Sequence, residues 1–330
     1  LLVLVALCSG YFAVAAHERH RLSLEQQAEG AVRAEGGWIV RGERPRAWFW
    51  RLWGGASTRT VTEVGLDGTL EKSTITDSLA NFGSLRVLHW PRVVYSEQLD
   101  HAIDNSPHLE RLAISQSLLG GETTDKIARL PRLTLLDLTM TNITDQELQP
   151  LVGHPALRVL ILGSTEISNA GLEPFRESRL QGLVLSNCRI TEPAIESIEM
   201  LPDLAWLDVS DTNATDHFVA RLARQSNLEY LNLSGTLVTD EALSHLATLK
   251  NLTTLHLSRT QVTDTGLQSL AGHPTLKVVS VQFTHISDTG VRALLDMPNT
   301  DEIFAQFTDI THASVTAGVQ RSVPVQVHRF

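Results

Sequence analysis

The stretch Leu228-Glu229-Tyr230-Leu231-Asn232-Leu233-Ser234-Gly235-Thr236-Leu237-Val238-Thr239-Asp240 decides the fold. Its first six residues read as a short strand: Leu231 and Leu233 share one face, Tyr230 and Asn232 the other. Ser234-Gly235-Thr236 turns the chain away, and Val238 comes back to the core. Thr239 followed by Asp240 reads as a helix start, a hydroxyl N-cap with an acid in the first turn. Leu243 and Leu246, three apart, give that short helix one apolar face. A single unit of this kind cannot enclose its own core, so it must stack on copies of itself.

The copies are there. The L-x-x-L-x-L pattern starts at Val61, Leu85, Leu109, Leu133, Leu157, Leu180, Leu204, Leu228, Leu252, Leu276 and Thr300. Every step is 24 residues except the 23 between Leu157 and Leu180. Eight residues past each start the last eight units carry Thr141, Thr165, Cys188, Thr212, Thr236, Thr260, Thr284 and Thr308. A small hydroxyl there is expected to satisfy backbone groups of the adjacent turn, and Cys188 reads as a buried member of the row. Two positions on, Ile143, Ile167, Ile190, Ala214, Val238, Val262, Ile286 and Ile310 fill the core. The N-cap row is Thr144, Ser168, Thr191, Thr215, Thr239, Thr263, Ser287 and Thr311, mostly followed by an acid that suits the helix dipole. Asn142-Ile143-Thr144 and its like match the glycosylation pattern only because the repeat puts Asn and Thr there.

These units resemble the leucine-rich-repeat family. The form T-x-I-T-D-x-G-L, clearest at Thr260-Gln261-Val262-Thr263-Asp264-Thr265-Gly266-Leu267, resembles a 24-residue class similar to the repeats of F-box receptors. It also resembles bacterial proteins with one N-terminal membrane anchor. The resemblance implies an α/β leucine-rich-repeat solenoid, a horseshoe with a parallel concave sheet, short convex helices and a ligand-binding surface. No F-box precedes the repeats, so a ubiquitin-ligase role does not carry over.

Leu1–Ala16 is uncharged and apolar and reads as a transmembrane anchor, or as a signal segment ending at Ala13-Val14-Ala15. Residues 17–60 read as a linker and N-terminal cap containing a helix near Leu22–Glu35. Four of the six tryptophans, Trp38, Trp48, Trp50 and Trp53, fall there and suit a cap or a lipid interface. Residues 61–330 are then a domain of about eleven repeats. His312 and Gly318 make the last repeat atypical, and Val323, Val325 and Val327 suggest a final edge strand. The anchored resemblance implies a single-pass, membrane-tethered protein with the repeats outside the cytoplasm.

Composition narrows the function. The net charge is −10; residues 17–53 hold seven Arg and five Glu, +2, which leaves −12 for the rest. Such a body does not suit nucleic acid. No glycine-rich phosphate loop or metal-ligand spacing occurs, so neither cofactor nor metal is expected. Stacked strands align their outward residues in columns, one through Val159, Gly182, Trp206, Tyr230, Thr254 and Val278, the next through Asp137, Ile161, Val184, Asp208, Asn232, His256 and Ser280. Trp206 and Tyr230 would be neighbours and interface anchors, with Asp208, Asn232 and His256 orienting a partner. Asp208 and His256, two strands and about 9–10 Å apart, are too far for a routine hydrogen bond. A non-enzymatic module binding a protein or peptide is expected, with carbohydrate or cell-envelope binding and a passive scaffold as alternatives. Phe283, Phe304 and Phe307 form a second cluster that reads as C-terminal cap packing, with an interface as the alternative.

Overall fold

The structure, a computed structural model, describes residues 24–34, 37–43, 59–66, 79–94, 96–320 and 323–326. Two compact units divide the chain, Leu1–Asp137 and Leu138–Phe330. In each, three-residue strands alternate with short helices, the open α/β leucine-rich-repeat solenoid expected from the period.

The first unit opens with a helix at 24–34. Strand β1 (Trp38–Glu43) then pairs antiparallel with β2 (Arg59–Gly65), the only antiparallel pairing among the described strands. Three parallel strands follow: β3 (Val87–His89), β4 (Arg111–Ala113) and β5 (Leu135–Asp137). Trp38 lies over Gly65 and packs on His89, ring centroids 5.5 Å apart. A Cβ at Gly65 would meet that indole at 2.1 Å. Arg41 and Arg33 both bond Glu29 and tie β1 to the 24–34 helix. Trp48, Trp50 and Trp53 lie outside the described residues.

The single-pass anchor is corrected. Among the described residues no helix is long and apolar enough to cross a membrane, and Leu1–Ala16 lies outside them. A span needs about 20 apolar residues. The 24–34 helix is about 16 Å long, and it carries Glu25, Gln26, Gln27, Glu29 and Arg33. The membrane-tethered, extracytoplasmic placement is therefore set aside.

The second unit carries β6 (Val159–Ile161), β7 (Gly182–Val184), β8 (Trp206–Asp208), β9 (Tyr230–Asn232), β10 (Thr254–His256), β11 (Val278–Ser280), β12 (Glu302–Phe304) and β13 (Val325–Gln326). Their pairings run parallel in chain order. In the Leu228 unit Leu228, Leu231, Leu233, Val238, Leu243 and Leu246 are all fully buried, each worth about 2 kcal/mol relative to exposure. The ladder extends beyond the strands: Leu233 N donates to His256 O at 2.9 Å and Gly235 N to Ser258 O at 2.8 Å. Reaching that second carbonyl takes one left-handed residue per turn. The row is Met140, Ser164, Asn187, Asp211, Gly235, Arg259, Phe283 and Phe307, all with φ between 53° and 68°. Most are not glycine, and each costs about 1–2 kcal/mol, offset by the inter-repeat bond it permits.

The hydroxyl row works differently from the expectation. Each threonine donates to the carbonyl three residues earlier in its own turn, as Thr212 does to Val209 O and Thr260 to Leu257 O, both at 2.6 Å. The reason is reach: Oγ closes this short local ring before it could touch the next turn. The Cys188 thiol, with a longer bond to sulfur, instead reaches Leu162 O of the preceding repeat at 3.1 Å. Burial pushes this thiol up, so it is not activated as a nucleophile.

The acid row holds neighbouring repeats together. Asp216 accepts Thr239 N and Thr239 Oγ, both at 2.7 Å; Asp240 accepts Thr263 N at 2.7 Å and Thr263 Oγ at 2.6 Å. The bonds these hydroxyls accept from their own helices are longer, 3.4 Å from Glu241 N and 3.3 Å from Thr265 N. The motif's glycine follows from this clamp, because a Cβ at Gly266 would lie 2.3 Å from Asp240 Oδ1. Gly318 is explained by the end of the chain's sheet: a Cβ there would meet Val325 of β13 at 2.5 Å.

Candidate functional site

Strands β8, β9 and β10 bring all five expected site residues onto one face of the second unit. Register sets Trp206 beside Tyr230 and Asp208 beside Asn232, with Asn232 beside His256. The Trp206 and Tyr230 rings meet edge to face, centroids 5.4 Å apart and planes at 78°. Tyr230 also leans on His256, again at 5.4 Å, planes at 49°. Such offset contacts suit aromatic quadrupoles and hold the three rings as one cluster. Trp206 remains 39% exposed, so an indole is presented that the fold has not used for its core.

The polar members are held by the turns. Asp208 Oδ1 accepts Ser210 N at 2.9 Å and Ser210 Oγ at 2.6 Å, while Oδ2 accepts Asn232 Nδ2 at 2.9 Å. Asn232 Oδ1 in turn accepts Ser234 N at 3.0 Å. Burial pushes the Tyr230 phenol up, helped by the negative charge of Asp208, with the Trp206 indole N–H pulling the other way. Burial pushes the His256 imidazole down, and Asp208 only partly opposes this. His256 is therefore a neutral ring at neutral pH, able both to donate and to accept.

Three features of this face were missed from sequence. Gly182, which precedes Trp206 in its column, is buried under its neighbours: its missing Cβ would sit 3.2 Å from Val159 Cγ1 and 3.5 Å from Trp206 Cε3, so the glycine lets both side chains close over the strand. Arg259 donates to Asp211 at 2.9 and 3.0 Å across an intervening repeat, passing over Gly235. A Cβ at Gly235 would lie 2.2 Å from Asp211 Oδ1. Phe283 and Phe307 stack 4.3 Å apart with planes at 12°, yet are 52% and 38% exposed. They do not pack as a buried cap, because both occupy the left-handed turn position. Among the described residues no group of three or more His, Cys, Asp or Glu could hold a metal ion.

Residues 248–271 and 272–295 each match the family described as Leucine Rich repeat. These two units are leucine-rich repeats. Among solved structures the chain is similar to an internalin of Listeria monocytogenes, at 14% identity and TM-score 0.56, over 85% of this chain and 93% of that one. It is also similar to internalin C2 of the same organism, at 25% identity and TM-score 0.47, over 64% of this chain and 84% of the other. The first likeness agrees with the repeat solenoid described above. A comparison with curated proteins found no match.

The second of the two matched leucine-rich repeats opens on Gly272-His273-Pro274, and His273 is buried. Its Nδ1 accepts Leu276 N at 3.3 Å and Thr275 N at 3.4 Å, while Nε2 has no hydrogen-bond partner. Burial pushes this imidazole down, with Lys250 adding to it, and the nearby carbonyls of Leu249 and Leu246 do not outweigh them. A histidine with a lowered folded pKa keeps its full contribution above the unfolded value of about 6.5 and loses it as pH falls below that. Denaturant midpoints are thus expected to drop between about pH 7.5 and about pH 5. Gln225 occupies the equivalent place in an earlier repeat, donating to Glu199 O at 2.6 Å and Leu201 O at 3.1 Å. H273Q should therefore fold and show a smaller drop; an equal drop would assign the acid sensitivity elsewhere.

Proposed function

We propose that this chain is a non-enzymatic interaction module that binds a protein or peptide across the exposed face of β8–β10. The observation that carries the reading is the Trp206–Tyr230–His256 cluster, with Trp206 exposed and Tyr230 and His256 half-buried, bordered by hydrogen-bonding groups with capacity to spare. Aromatic anchors beside such groups are the composition of interface hot spots. The ring planes, 78° and 49° apart, offer no flat double platform for a sugar. That favours a peptide over the carbohydrate alternative. Within residues 17–60, the 24–34 helix and strand β1, whose antiparallel pairing departs from the repeat, are proposed to cap the first unit.

The test is selection from a random-peptide display library on the full chain, in parallel with titration by cell-envelope polysaccharide. W206A and Y230A are expected to weaken the selected peptides at least tenfold, about 1.4 kcal/mol, with unchanged thermal midpoints. Peptides bound equally by both variants would remove this face from the function. Polysaccharide binding without peptide binding would establish the carbohydrate reading instead.

A further inference from the structure

Resting on that reading, we propose that the face takes a basic side chain of the partner, its aliphatic stem along the Val159–Val184 strip and its cation between the Trp206 indole and the Asp208 carboxylate. Shape comes first. Gly182 is flanked in register by Val159 and Trp206, and Val184, one pleat on, by Ile161 and Asp208. Gly182 itself is buried, with Val159 and the indole closed over it, so the part-exposed Val159, Ile161 and Val184 form an aliphatic strip beside the indole. Next to Val184 in register stands the Asp208 carboxylate.

Charge chooses the occupant. From β6 to β11 the outward positions hold Asp208 as their one carboxylate and no lysine or arginine. Asp208 makes three hydrogen bonds, two through Oδ1 and one through Oδ2. A carboxylate has about four acceptor sites, so one remains, on Oδ2. None of the three donors carries a positive charge, so the anion is bonded but not neutralised. Its field reaches both Tyr230 and His256. The nearest arginine in the adjoining turns, Arg259, is already paired with Asp211. An apolar strip, an exposed indole and an uncompensated carboxylate together suit a long aliphatic side chain ending in a cation, which gains from the π-face as well as the charge.

The experiment uses the peptides selected on the full chain, resynthesised with each arginine replaced by citrulline, which keeps the shape, exchanges one NH2 donor for a carbonyl oxygen and removes the charge. Selected peptides should be enriched in arginine or lysine. Citrulline at one position should weaken binding at least tenfold. D208N should weaken the arginine peptide and leave the citrulline peptide unchanged, a charge-specific coupling that general unfolding would not produce. Selected peptides without basic residues, or arginine and citrulline forms binding alike while W206A still abolishes binding, would overturn this inference and leave the peptide-binding role standing. Peptides indifferent to W206A and Y230A, or no peptide selected at all, would remove both.

Discussion

Replacing Phe218 by alanine is expected to lower the stability of the second unit by about 3–5 kcal/mol, the cost of emptying a fully enclosed phenyl site. Phe218 is completely buried at the third residue of the Asp216–Leu222 helix. Other repeats put Gly171, Ala242, Gly266 and Gly290 at this place, where the preceding repeat's acid normally intrudes. The repeat before Phe218 has made room for it. Its acid is Glu192, one methylene longer than aspartate, and its carboxylate takes Thr215 Oγ at 2.6 Å and His217 Nδ1 at 2.5 Å. The backbone N–H of the cap residue, which Asp216 and Asp240 both grip, is not among its bonds. Phe218 and Glu192 are thus one substitution made in two repeats. E192D alone should destabilise, because the shorter side chain returns the carboxylate toward the phenyl ring. In the F218A background E192D should cost less, so a double-mutant cycle by urea denaturation should show coupling of about 0.5–3 kcal/mol. Additive single costs would mean that the two residues do not share the space.

How much of this was legible beforehand depends on whether a feature repeats within one unit or arises between two. The strands, core rows and N-cap hydroxyls follow from alternation and period within a single stretch such as Leu228–Asp240, and they stand where the pattern puts them. Trp206, Tyr230, Asp208, Asn232 and His256 could be placed on one face because parallel register preserves their columns. The direction of a side chain within its column was not legible. Nothing in the spacing says that Tyr230 leans toward His256, or that Arg259 reaches past Gly235 to Asp211. The exposed stack of Phe283 on Phe307 was hidden for a related reason. Its position is defined by a left-handed backbone that phenylalanine rarely adopts, so aromatic character pointed to packing rather than to a turn. The N-terminal segment misled in another way: apolar composition is a sound signal for a span, but Leu1–Ala16 lies outside the described residues and no described helix has the length or apolarity to serve.

Asp240 shows how the acid row can be assigned one role rather than another. Read from one repeat, an acid at a helix's first position stabilises through the helix dipole. In the folded chain its carboxylate holds two donors of the next repeat, Thr263 N and Thr263 Oγ. Bonds to charged acceptors are worth about 1.5–3 kcal/mol each when buried. These are part-buried, so D240A is expected to cost about 2–3 kcal/mol in denaturant unfolding. The two roles diverge for D240N. Loss of charge removes the dipole term, whereas the clamp should survive, because Asn169 already performs it one way round. Thr191 N donates to Asn169 Oδ1 at 3.0 Å, and Asn169 Nδ2 donates to Thr191 Oγ at 2.6 Å, the hydroxyl having become the acceptor. D240N is therefore expected to lie within about 1 kcal/mol of wild type. If it costs as much as D240A, charge rather than the clamp stabilises the array. Gly266 gives an independent check. An added Cβ meets only Asp240 among its three nearest atoms, and alanine in a helix is otherwise worth about 0.5–1 kcal/mol over glycine. G266A should then give less than that gain, or a loss, beside Asp240, as the carboxylate must shift; Ala242 beside Asp216 shows that such a shift is possible. In the D240A background more of the gain should appear, since the carboxylate has gone and only the backbone Cα of residue 240, 3.0 Å away, still crowds the added Cβ.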